Sequence, residues 1–159
     1  MSISRNSLPA IVTLAIVLAF GLWGSALVTR VGYLAVPSAL GLPYGLPGLR
    51  AVPLGETTWL VTLTDSVLAL VLVVMVARAR GGFWRTWGAF VLGAVVVNLL
   101  RAVVLSQIAS ADLGAYAGHL VGGLIAGLLW GIALGWLAGL AALPSRQRQP
   151  ATAGIPSAG

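Results

Sequence analysis

Residues 115–143 read AYAGHLVGGLIAGLLWGIALGWLAGLAAL, and the fold follows from what this stretch lacks. It holds no formal charge and a single imidazole, His119, while exceeding the roughly 20 helical residues that cross about 30 Å of hydrocarbon. A span of this length is expected to tilt or to protrude into the interface. Glycine stands at 123, 127, 131, 135 and 139, an uninterrupted four-residue repeat, with a second offset pair at 118 and 122. Lipid tails provide no hydrophobic force between helices, so a ridge of small residues serves close packing. Four-residue steps advance about 400°, and the ridge therefore winds slowly enough to meet more than one neighbour. That neighbour can be an internal helix, a second copy of the chain in a homo-oligomer, or a substrate helix.

Three more apolar stretches lie upstream, at about 10–29, 58–77 and 87–108. Of the 159 residues, 59% are hydrophobic and 8% charged, with a mean hydropathy of +1.02, a balance that cannot coat a water-soluble surface. The expectation is an all-α, polytopic membrane helical bundle of four transmembrane helices, one domain over residues 1–143, with the lipid bilayer as its first partner. The chain has no cysteine, which excludes disulfides, thiolate metal sites and a thiol nucleophile. It shows neither a glycine-rich nucleotide loop nor zinc-ligand spacing, so no metal, cofactor or nucleic-acid partner is expected.

All of the basic residues are arginine, and they set an orientation. Arg5 precedes the first span, Arg78, Arg80 and Arg85 crowd the second connection, and Arg146 and Arg148 follow the last span. These mark the cytoplasmic side, leaving both termini inside. Trp59, Trp84, Trp87 and Tyr116 fall near span ends, where amphipathic rings anchor at the headgroup level. The first span is too long for a signal-peptide core and no small-residue cleavage site follows it, so it reads as retained. Residues 31–57 contain Pro37, Pro43, Pro47 and Pro53, which predicts an irregular outer loop lying on the membrane. Residues 144–159 have too little apolar material to pack and read as a disordered cytoplasmic tail.

Ionisable groups inside spans cost about 2.5–3.5 kcal/mol at mid-membrane on insertion scales, so each asks for a partner, a cavity or a function. Asp65 in the second span and Arg101 in the third both lie about 10 Å below the outer ends of their helices, with His119 slightly shallower in the fourth. Asn98, one turn from Arg101, shares its face. All four are expected at one depth in the outer leaflet. The plain account is an Asp65–Arg101 ion pair stapling two helices, with Asn98 filling spare hydrogen bonds and His119 bonded to a carbonyl. The other account is a polar site with Asp65, Arg101 and His119 as candidate catalytic residues and Asn98, Ser66 and Gly123 as candidate binding residues.

The run Asn98-Leu99-Leu100-Arg101, followed by His119 and then glycine at 123, resembles the Asn-x-x-Arg and His motifs of exosortases and archaeosortases. The stretches from Ala39 to Pro43 and from Pro53 to Asp65 look like the outer loop leading into that family's catalytic span; the resemblance covers about 39–131. A histidine on a glycine-rich helix is also similar to rhomboid proteases. The exosortase resemblance implies a prokaryotic plasma-membrane enzyme that cleaves a C-terminal sorting signal, a short motif followed by a transmembrane helix and a basic cluster, through Cys, Arg and His. Arg101 and His119 fill two of those positions, but Asp65-Ser66 stands where the family has Cys-Ser. A carboxylate is a weak nucleophile and would form a reactive anhydride with a peptide carbonyl, so thiol transpeptidation is excluded. Four functions stay open: binding the sorting helix of an exported protein without cleavage, hydrolysis through water activated by Asp65, a purely structural bundle subunit, and transport. Transport ranks last, because the inner half supplies no ionisable chain to carry a proton.

Overall fold

The computed structural model describes residues 7–35, 45–51, 59–79, 81–108 and 110–143. Every regular element among them is a helix: α1 Ser7–Ala35, α2 Trp59–Arg78, α3 Phe83–Ile108 and α4 Leu113–Ala141. Three of these, α2, α3 and α4, are long and apolar enough to cross a membrane, and α1 contributes the apolar stretch Ser7–Trp23. The expected first span falls within α1, which continues to Ala35 rather than ending near residue 29. The tail after residue 143 lies outside the described residues.

The helix boundaries have local causes. Between α2 and α3, Gly81 takes φ +149°, a conformation that side chains avoid, and α3 begins at Phe83, earlier than the apolar pattern alone suggests. At the other end of α3, Ser110 adopts φ 49° while its N–H bonds to the Gln107 carbonyl at 3.2 Å and the Ala111 N–H to the Ser106 carbonyl at 3.0 Å. This is the paired bond pattern of a Schellman ending, here with serine in the position glycine usually fills. Asp112 then caps α4, its carboxylate accepting the Ala115 N–H at 2.8 Å. Three residues thus close one helix and open the next.

The packing forms a ring: α3 lies along α4 most extensively, α2 packs on α3, and α1 bridges α2 and α4. The glycine ridge explains the tightness of the α3–α4 seam. A Cβ at Gly123 would meet the Asn98 carbonyl at 2.9 Å, one at Gly127 the Val95 Cα at 2.6 Å, and one at Gly131 the Val91 Cα at 3.0 Å. Gly135 faces Trp87 and Phe90, and Gly139 faces Phe83. Numbers rise on α4 as they fall on α3, so the helices run antiparallel. The whole ridge serves one internal neighbour, which answers the question that periodicity left open.

Large side chains point outward, among them Leu63, Val67 and Leu70 on α2 and Val121, Ile125 and Ile132 on α4. The interior is filled by Ala69, Leu72, Val76, Phe90, Ala94 and Val97, joined from α1 by Val17 and Phe20. Small residues at the α3–α4 seam and branched aliphatics on the outside suit a lipid solvent, in which helix contact comes from close packing. One core member, Leu46, comes from no helix at all.

Candidate functional site

Leu46 belongs to residues 45–51, a segment without regular secondary structure whose first four residues are buried. Rather than lying over the bundle, it enters it. Its backbone is paired on several sides: the Leu49 N–H donates to the Val17 carbonyl of α1 at 3.0 Å, and Ser66 of α2 accepts from the Arg50 N–H at 3.1 Å while donating to the Arg50 carbonyl at 2.9 Å. The Gly45 carbonyl accepts from Arg101 Nη1 of α3 at 3.2 Å, and Arg50 Nε donates to the Gly21 carbonyl of α1 at 3.0 Å. Irregular backbone at membrane depth is tolerated only where protein satisfies its polar groups, as happens here.

Close approach requires glycine on both sides. A Cβ on Gly21 would fall on the Leu49 carbonyl, and one on Gly48 would fall on the Gly21 backbone. The contact depth is consistent across helices. Asp65 lies about 9 Å from the Trp59 end of α2, Arg101 about 10 Å from the Ile108 end of α3, and Gly21 roughly 21 Å from the Ser7 end of α1. The segment therefore dips about a third of the way into the apolar slab from the end that carries Trp59, Ile108 and Leu113, termed here the loop end.

At that level α2 and α3 are joined by charge. Arg101 Nε lies 2.8 Å from Asp65 Oδ1, and Arg101 Nη2 donates to Asp65 Oδ2 at 3.0 Å. The second contact is an aligned hydrogen bond; the first is a charge contact without hydrogen-bond alignment. The side chains are 2% exposed for Asp65 and 13% for Arg101, so the pair is shielded from water and each charge depends on the other. With Nη1 on Gly45, the one guanidinium ties together α2, α3 and the inserted segment.

The remaining candidates are placed differently. Asn98 is buried and its amide donates to the Ala94 carbonyl of its own helix at 2.9 Å. Gly123 lies against the Asn98 backbone as part of the α3–α4 seam. Ser66 is committed to both polar groups of the Arg50 backbone, which uses its only hydrogen. His119 Nδ1 lies 2.7 Å from Ser106 Oγ, and Ser106 Oγ donates to the Ala102 carbonyl at 2.7 Å. Both Ser106 contacts are satisfied when the imidazole Nδ1 carries the proton. Ser106 stands about 7.5 Å along α3 from Arg101, toward the loop end. The structure thus brings Asp65 and Arg101 together and ties His119 to a separate partner.

No family model, curated protein or solved structure matches this chain. Asp65 has each carboxylate oxygen in contact with the Arg101 guanidinium. Among the described residues, no three His, Cys, Asp or Glu side chains gather as metal ligands. Sequence reasoning missed Arg50, Gly21, Gly45 and Ser106. The available signal for Arg50 and Gly45 was a glycine- and proline-rich run that is nonetheless apolar, GLPGLR at 45–50, with a single charge; Gly21 and Ser106 carried none.

Proposed function

We infer that the chain is a multi-pass plasma-membrane protein of prokaryotic type that binds the C-terminal membrane helix of an exported protein without cleaving it, in the manner of an exosortase fold that has lost its nucleophile. The loop end faces the outside and both termini lie in the cytoplasm, because the arginine-rich connection between α2 and α3 sits at the opposite end. The observation that carries binding over cleavage is the state of the reacting groups. Asp65 is engaged by Arg101, and His119 Nδ1 is hydrogen-bonded to Ser106. Hydrolysis needs a base free to accept a proton and an acid within reach of the same substrate atoms.

The test is co-expression with an exported protein bearing a C-terminal helix and basic tail, with a photo-crosslinking residue at exposed Leu63 or Leu70 of α2. A crosslinked adduct of full-length substrate is the expected result. Substrate shortening that disappears in Arg101→Ala and His119→Ala would establish catalysis instead. A second reading, a structural subunit, is favoured by the internal saturation of Arg101 on Asp65 and Gly45. Absence of any adduct, with the protein folded, would select it.

A further inference from the structure

The polar cluster does not balance its charge. Among the described residues of this cluster there are two guanidiniums, Arg50 and Arg101, and one carboxylate; Arg50 is tied through its backbone to Ser66, the residue after Asp65. Arg101 takes up that carboxylate with Nε and Nη2. Arg50 has Nε on the Gly21 carbonyl, a dipole that orients a guanidinium without cancelling its charge. A residual unit of positive charge at this depth is costly unless an anion meets it.

A second observation points the same way. Thr62 is 3% exposed and its hydroxyl has no hydrogen-bond partner, an uncommon condition for a buried hydroxyl. It lies one helical turn nearer the loop end than Ser66, on the strip of α2 that also carries Asp65. Among the described residues, neither the Thr62 hydroxyl nor the Arg50 guanidinium meets an anionic acceptor. We propose that a phosphate-class anion binds at the loop end of this cluster, held by the Arg50 guanidinium and the Thr62 hydroxyl. A guanidinium presents a planar fork that matches phosphate oxygens, and the hydroxyl adds one donor. Thr62 lies only about 4.5 Å along α2 from Trp59, a level that a lipid headgroup phosphate reaches from the interface and a free phosphate reaches from water. The proposal does not rest on the partner-helix reading.

The experiment uses the full-length protein in bilayer discs of phosphatidylcholine alone, of phosphatidylcholine with phosphatidylglycerol, and of phosphatidylcholine with inorganic phosphate in the buffer. Lipid retained in native mass spectrometry and the unfolding midpoint are measured. Phosphatidylglycerol is expected to be retained about tenfold over phosphatidylcholine: both carry the phosphodiester, but phosphatidylcholine offsets it with its own trimethylammonium, and one charge-assisted contact is worth about that factor. Arg50→Gln should abolish the preference and Thr62→Val weaken it, while Arg85→Gln, at the opposite end, leaves it intact. Stabilisation by inorganic phosphate would identify the free anion as the source; stabilisation by phosphatidylglycerol alone would identify the lipid. Equal retention by wild type and Arg50→Gln would overturn the proposal. So would a loss of stability in Glu56→Gln, in phosphatidylcholine alone, as large as that of Arg50→Gln, since the cation would then own a protein counter-ion. If Arg50→Gln does not accumulate, Arg50→Lys keeps the charge and loses the fork; it should fold with about tenfold weaker retention, and undiminished retention would equally refute the site.

Discussion

Removing a single side chain of the Asp65–Arg101 pair is costly. Either Asp65→Ala or Arg101→Ala strands a shielded charge, at about 3–5 kcal/mol, whereas the double substitution strands none. Folded yield in detergent should therefore fall further in each single variant than in the double; a double variant worse than both singles would show that the two charges do not depend on each other. Ser66→Ala should cost about 1–3 kcal/mol, because it leaves both polar groups of the Arg50 backbone short of a partner. A cysteine introduced at Leu49 reports the same event: the chain has no other thiol, so maleimide labelling should accelerate in the Ser66→Ala background, and an unchanged rate would deny Ser66 its holding role. The pairing of Asp65 with Arg101 was legible from residue types alone, since opposite charges at equal depth in adjacent spans have few other partners. The position of His119 was not. Rise per residue gives depth but not direction around the helix, and a neutral Ser106 one loop away gave no warning that it would take the imidazole.

At the scale of elements, glycines divide into those that hold a seam and those that do not. Gly127→Ala places a methyl 2.6 Å from the Val95 Cα, an atom that cannot swing aside, and should push α4 off α3 at about 1–3 kcal/mol or more. Gly135→Ala meets the Trp87 and Phe90 side chains at 3.2 and 3.3 Å and should cost less, and Gly88→Ala, with open space around it, should be tolerated. Thermal unfolding in detergent that ranked Gly88→Ala as the most damaging would contradict the seam. The helices themselves were legible because a long uncharged apolar run has few alternatives in a bilayer. The inserted segment was not, since its holdfasts on α1 are the backbone carbonyls of Val17 and Gly21, and the two facing glycines carry no side-chain signature. Proline and glycine marked it as irregular, which is true of its conformation and silent on its location.

For the molecule as a whole, the orientation assigned from the arginines can be read by chemistry. A cysteine at Ser110, in the exposed turn between α3 and α4, should react in intact cells with a membrane-impermeant thiol reagent, and one at exposed Arg85 should react only after lysis. The reverse pattern would invert the topology. The inserted segment also bears on how the protein is made. Residues 45–51 leave the ribosome after Val17 and Gly21 but before Ser66 and Arg101, so two of their holdfasts do not yet exist when they are synthesised. Bare peptide groups are rejected by hydrocarbon at several kcal/mol each. Docking is consequently a late act of folding, complete only once α3 has been made, and until then residues 45–51 lack the contacts that Ser66 and Arg101 supply.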